Sequence, residues 1–363
     1  MQRYYFDHNA TTPLAPHVLE AMMPAMTEVY GNASSLHHFG QIARQMLDQA
    51  RREVAACLGA QAKEILFTSG GTEADELAVE GGWVLTTTIE HPAVLNAVKR
   101  NDHASFVPVD SRGLVDPDDI RKALRPGMTL VSVMHANNEL GVIQPIEQIS
   151  RIACEAGIPF HSDGVQAAGK IPVNVRDLGV DFYSLAAHKI YGPKGVGALF
   201  NKSAIRRTRT ENVAGALGLA AALRRQSQHG AEESARLAAL RDRLEQSVLD
   251  RIPGVHVNGS GAPRVPNTSN LRFDGIDSEP LLIALDLRGF AVSSGSACSS
   301  GSTEPSHVLQ AIGLTKEQAR SSIRVSLGRS NDAQQVDALA DALVACVAHL
   351  RRIAPGKPAP AYA

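Results

Sequence analysis

Cysteine is scarce in this chain: four residues, Cys57, Cys154, Cys298 and Cys346, with no pair at the close spacing of a metal site. So few cysteines in so long a chain exclude a disulfide scaffold, and any special thiol must be argued from its own surroundings. Excess charge is missing too. Thirty-six basic residues face 37 acidic ones, so no overall field gathers nucleic acid or an anionic membrane. No apolar run approaches the roughly 20 residues of a membrane span. The first residues, Met1 to Asn9, lack the basic region and apolar core of a signal peptide. The expectation is a cytoplasmic protein that works on small molecules, with neither membrane nor nucleic acid as partner. At 363 residues it has material for two domains.

What is present centres on residues 184 to 200. An apolar run from Phe182 to Ala187 delivers His188 and Lys189 into a turn rich in Gly and Pro, and a second run, Val196 to Phe200, leads away. The pattern predicts strand, tight turn, strand, with one amine at the corner. A lysine there is either a solvated surface charge or, if desolvation lowers its pKa, a Schiff-base nucleophile. Upstream, the run Gly157 to His161 ends in Ser162-Asp163-Gly164 and then Gln166. In a parallel sheet this places Asp163 at the carboxyl end of a strand, where open α/β sheets bind ligands. A buried carboxylate opposite such a lysine is what a pyridine cofactor needs to keep its ring nitrogen protonated.

At these residues the sequence resembles the class V aminotransferase group of pyridoxal-phosphate enzymes, and within it the NifS/IscS-type cysteine desulfurases, almost from end to end. Glu64 to Ala74 reads as a strand, a small-residue turn and a helix start whose amides could cradle a phosphate. It is similar to the family's Ser-Gly-Ala-Thr-Glu loop, with Gly71 in place of alanine beside Thr72. His91, at a strand end before Pro92, reads alone as structural; the resemblance makes it the imidazole that stacks on the ring and carries protons. Asn138 matches a contact to cofactor or substrate, Gln166 a hydrogen bond to the ring hydroxyl, and His188 a neighbour of the cofactor. Asn9, in a segment similar to the family's Asn-Ala-Ala-Thr-Thr-Pro, is a substrate contact by the same resemblance. From the residues alone, Thr12 and Pro13 there read as a capped helix entrance.

Cys298 lies in Gly295-Ser-Ala-Cys-Ser-Ser-Gly301 rather than in an apolar period. An exposed loop is where a reactive thiol belongs, and with Glu304 to His307 the stretch resembles the nucleophile loop of the NifS/IscS-type branch. Arg324 matches the family's carboxylate clamp, with Arg329 as the alternative. Three departures stand out. Ala186 occupies the place of a phosphate-binding serine, about a loop's worth of residues is absent near Ile205-Arg206, and the helix-to-strand joins at Gly82-Trp83 and Lys99 to Asn101 are tight. Thr210 resembles a hydroxyl that one subunit lends to its partner's cofactor phosphate.

The resemblance therefore implies an α/β, fold-type-I transferase dependent on pyridoxal 5'-phosphate. Its large domain, 15–230, holds a mainly parallel seven-stranded sheet, and a smaller α+β domain is formed by 1–14 and 231–363. Lys189 would hold the cofactor, Asp163 its ring nitrogen, and Cys298 would take sulfur from L-cysteine as a persulfide for a protein acceptor or scaffold, in a homodimer that needs no metal. The receiving pathway, whether iron-sulfur assembly or thio-modification, is not legible. A selenocysteine lyase, another class V aminotransferase, or a non-catalytic sulfur carrier on the same fold are the competing readings. Helices are expected at about 16–30, 41–58, 146–156, 232–252 and 280–287, with a last one through Val336 to Leu350. Cys57, Cys154 and Cys346 are read as packing residues.

Overall fold

A computed structural model describes residues 2–101, 103–204, 211–294 and 304–353. After a short first strand, β1 (Tyr4–Tyr5), the chain supplies β2 (Ile65–Thr68), β3 (Trp83–Thr87), β4 (His103–Val107), β5 (Leu130–Ser132), β6 (Phe160–Asp163), β7 (Phe182–Ala186) and β8 (Gly197–Asn201) to one seven-stranded sheet. The order is β2-β8-β7-β6-β5-β3-β4. β8 runs against both its neighbours and the other pairs are parallel, the mainly parallel α/β sheet that the sequence led us to expect.

Side chains alternate across this sheet with a period of two. Leu85, Val131, Tyr183 and Phe200 enter the core on one face. Their neighbours Val84, Leu130 and Leu199 enter a smaller core on the other, against the helices Gly71–Val79 and Pro92–Val98. The first core also holds Val18 and Met22 of the helix Pro16–Thr27 and Leu47, Val54 and Leu58 of the helix His38–Leu58. Apolar residues at helical spacing in that second helix form the stripe that the sequence showed. His37 accepts from Gly40 N through Nδ1 and caps it.

A second sheet is antiparallel: β9 (Val255–Asn258), β10 (Thr268–Phe273), β12 (Ser293–Ser294) and β13 (Ser322–Ser326), in the order β12-β13-β10-β9, while β11 (Phe290–Ala291) pairs with β1. Phe6, Phe273, Ile323 and Leu343 lie in its core. The helix expected from residue 232 is one continuous helix, Val213–Arg251, of 39 residues. Its first half is a run of Gly and Ala whose apolar period is too faint to read, yet small residues let it lie close on the two N-terminal helices. Leu219 and Leu223 belong to the first core, Leu237, Leu244 and Val248 to the second.

The tight join before β3 is made by Gly81 and Gly82, both left-handed at φ 82° and 72°, a conformation that costs glycine little. Asn101 ties the next join back by donating from Nδ2 to Val79 O. Cys346 is buried and Cys57 half-buried, but Cys154 is exposed, a correction to its reading as a packing residue.

Candidate active site

β2, β3, β5, β6 and β7 run in one direction, so their carboxyl ends share an edge of the sheet and the loops leaving them meet there. At that edge a cavity of about 310 Å³ is lined by Asn9, Gly71, Thr72, His91, Asn138, Asp163, Gln166, His188, Lys189 and Arg324. These ten come from nearly the whole length of the chain. Every residue expected at the site is among them except Cys298 and Thr210, which lie outside the described residues. A hollow of about 380 Å³ adjoins it at Gly71, Thr72 and His188; two larger ones, of about 570 and 620 Å³, are lined by none of these ten residues, so chemistry rather than volume selects the site.

β7 ends at Ala186, and one short helical turn, Ala187–Lys189, sets the lysine at the corner. Lys189 Nζ donates to the carbonyls of Asn9 at 2.5 Å and Ala10 at 2.9 Å. The turn is fastened by Thr12, whose backbone N and Oγ1 both donate to His188 O, while its Oγ1 accepts from Tyr191 N. Thr12 is therefore not a helix cap. The residue in that position is Ala15, with no capping side chain, because the threonine is drawn away to the lysine turn. Tyr191 is held at φ 68°, strain on the order of 1–3 kcal/mol for a residue with a side chain. Its hydroxyl accepts from Arg329 N, and the Arg329 guanidinium lies 3.9 Å over its ring. Arg329, the alternative clamp, is bound by Glu233 and Gln226 and is not among the cavity residues.

Asp163 ends β6, buried, with Oδ1 accepting from Val165 N at 2.9 Å. Burial pushes its pKa up to about 6, against the pull of that N–H and of the Lys189 amine. Asp163 in turn acts on two further buried acids. Burial and Asp163 raise Asp75 well above the carboxylate range, and burial raises Glu90 to about 8. All three carboxyls are thus shifted towards the protonated form, and a cation in front of Asp163 would favour its charge.

His91 Nδ1 accepts from Ala93 N at 3.1 Å and caps the helix Pro92–Val98. That bond puts the ring proton on Nε2. Burial, then the charges of Lys189 and His307, lower His91 to about 4, so the ring is neutral at physiological pH. His188 is lowered to about 4 by burial, Lys189 and Lys194, and its Nδ1 pairs with Thr11 Oγ1. At the phosphate side, Gly71 opens the helix Gly71–Val79. A Cβ there would stand 2.7 Å from Val165 Cγ2, so the valine fills the space that the family's alanine would use.

Arg324 is buried, with Nη2 donating to Asp7 Oδ1 at 2.7 Å and Nη1 to Asn138 O at 3.1 Å. A guanidinium has five N–H groups, and Nε is buried without a partner among the described residues; the fork is pre-aimed with donors in reserve. Asn9 lines the cavity, but its side chain is fully engaged: Nδ2 donates to Asn138 O and Thr268 Oγ1, and Oδ1 accepts from Lys170 and Asn267. Those bonds hold the wall of the cavity. Gln166 Nε2 donates to Asn9 O, and its Oε1 accepts from Lys170 Nζ.

Sequence reading missed Asp7, which aims Arg324, and Asn137, whose Oδ1 accepts from Glu139 N and Leu140 N and so shapes the turn beside Asn138. It also missed Lys170. A charged residue between Ala168-Gly169 and Ile171-Pro172 was the one available signal.

An amine on a rigid turn, a buried carboxylate opposite, a neutral imidazole and a helix N-terminus are together the donor set that suits pyridoxal phosphate. The chain belongs to the class-V aminotransferase family, whose model matches residues 4–209 and 205–339. Within that family it belongs with the cysteine desulfurases. It is 44% identical over 380 aligned positions to cysteine desulfurase IscS of Dictyoglomus turgidum, covering 97% of this chain and 96% of that one. Those 380 positions exceed the 363 residues here, so the relative carries segments this chain lacks, in keeping with its short joins. Among solved structures, a NifS-like protein from Rickettsia africae superposes with a TM-score of 0.88 at 32% identity, over 95% of this chain and 99% of that one. SspA in complex with cysteine superposes with a TM-score of 0.77 at 32% identity, over 89% of this chain and 98% of that one.

Proposed function

We propose that the protein is a pyridoxal-phosphate-dependent cysteine desulfurase that converts L-cysteine to L-alanine and leaves the sulfur on Cys298 as a persulfide. The observation that carries this reading is the convergence of Lys189, Asp163, His91 and Arg324 on one cavity. When bound, the cofactor supplies an electron sink for bonds at the amino acid's α-carbon. Lys189 holds it and moves protons at Nζ, Asp163 keeps the ring nitrogen protonated, and His91 presents its neutral face. Gly71 and Thr72 take the phosphate at their helix start. Arg324 grips the substrate carboxylate with its remaining N–H groups. The Cys298 thiolate attacks the substrate sulfur; an S–S bond forms, the substrate C–S bond breaks, and the carbon gains a proton to become alanine.

Both roots of the segment carrying Cys298 support this arrangement. Ser293 of β12 pairs with Arg324 of β13, and His307 Nε2 contacts Glu90 O, next to His91. Purified, cofactor-loaded protein given L-cysteine and a reductant is expected to form alanine and sulfide in equal amounts, with no keto acid needed. Alanine formation that depends on a keto acid would make it an aminotransferase instead.

The working unit in this reading is a homodimer, and the acceptor of the sulfur is a protein that reaches Cys298. Leu19, Met23 and Met26 are exposed along one face of the helix Pro16–Thr27, and beyond it Tyr30 stacks on Phe39 at 5.5 Å. So much exposed apolar surface in one region suits a second copy of the chain.

A further inference from the structure

Lys170 is half-buried, immediately behind the cavity wall. Its Nζ donates to Gln166 Oε1 at 2.5 Å and to Asn9 Oδ1 at 2.7 Å, two amide oxygens that frame the site. An ammonium and a neutral amine can both donate these two bonds, and the amide orientations agree with them: Gln166 Nε2 donates to Asn9 O, which can only accept, and Asn267 Nδ2 donates to the same Asn9 Oδ1. With Oε1 turned to Lys170, Gln166 has only N–H to offer the cavity. One N–H goes to Asn9 O at 3.0 Å, the carbonyl that also receives the Lys189 amine. The second N–H is left for the cavity.

The geometry points to Lys170 as a positioning residue: by holding Gln166 in one orientation it leaves that side chain only an N–H to offer the cavity, which favours the anionic form of the cofactor's ring oxygen. The inference rests on the pyridoxal-phosphate reading of the cavity. An anion there weakens in turn when its donor is lost, and the proton shared between the Lys189 nitrogen and that oxygen is then held more tightly. The charged and titratable groups around Lys170 are Lys189 from the turn, Arg324 from β13, His8 from the N-terminal segment, and Glu233 from the long helix, which lines the same small cavity. Burial, then Lys189 and Arg324, push the Lys170 pKa well down, which does not alter its two donated bonds.

The test is a pH titration of the absorbance of the lysine-linked cofactor in wild type, Lys170→Met, Gln166→Leu and the double variant. Lys170→Met is expected to raise the midpoint by about one pH unit, the size of a lost hydrogen bond to a charged group. Gln166→Leu should give the same shift, and the double variant no more than either. Wild type that forms no such absorbance overturns the cofactor reading itself. A folded, loaded Lys170→Met with the wild-type midpoint, and only a lower melting temperature, overturns the positioning role alone. Should Lys170→Met not accumulate, Lys170→Gln, which keeps one donor, is expected to show a smaller rise; an unchanged midpoint there counts equally against the role.

Discussion

Ala186 stands where the resemblance to the desulfurases leads one to expect a serine, and its methyl group faces the cavity next to Gly71. Ala186→Ser should add one hydrogen bond to the cofactor phosphate, on the order of 1 to 3 kcal/mol for a charged acceptor. Cofactor retention on dialysis should then tighten by about tenfold; equal loss from both proteins would show that the hydroxyl finds no phosphate. Glu90 makes a different prediction. It is buried, with Oε1 accepting from Thr87 Oγ1 and Met134 N while Oε2 has no partner among the described residues. Its folded pKa of about 8 lies above its ordinary 4.5, so the folded chain binds more protons between those values. The stability it contributes is complete below pH 4.5 and is lost as pH rises through 8. Glu90→Gln should therefore gain on wild type in unfolding free energy as pH goes from 5 to about 8, and a constant difference across that range would contradict the buried, protonated assignment. Lys189 and Asp163 were legible in sequence because each ends an apolar run at a turn. Lys170 was not, because one of its two partners, Asn9, lies far along the chain and a hydrogen-bond count needs coordinates.

Strands and their ends were the most readable elements, since short apolar runs followed by Gly, Asn or Asp mark where a parallel sheet turns polar. The long helix was half hidden, as a Gly- and Ala-rich face packs tightly but carries little apolar signal. His91 shows how one residue serves an element and a site together. It caps the helix Pro92–Val98 through Nδ1, and it lines the cavity. His91→Ala should cost about 1 kcal/mol of stability for the lost cap and lower turnover as well. His91→Asn, with a good capping side chain, should recover the stability and not the turnover. Recovery of both would reduce His91 to a structural residue, as its sequence alone suggested.

At the scale of the whole molecule, the sheet edge gathers groups from Asn9 to Arg324 into one cavity, and the Val213–Arg251 helix runs through both large cores. In the proposed homodimer the exposed face of the helix Pro16–Thr27 would meet the second copy. Met23→Lys combined with Met26→Lys should shift the sedimentation of the protein from dimer to monomer, with the melting temperature of the monomer otherwise retained. A wild type that sediments as a monomer would remove this surface from the account.

The central claim is that this cavity delivers sulfur from L-cysteine to one thiol of the same chain. It is tested most directly by mixing the loaded protein with L-cysteine in the absence of reductant and following two products together, free alanine and the mass of the peptide containing Cys298. The account predicts one alanine per active site in the first turnover, a gain of one sulfur atom on that peptide, and neither product from a Cys298→Ser variant that still carries the cofactor. Alanine released at the wild-type rate by Cys298→Ser, or sulfur found on Cys57, Cys154 or Cys346 instead, would contradict it.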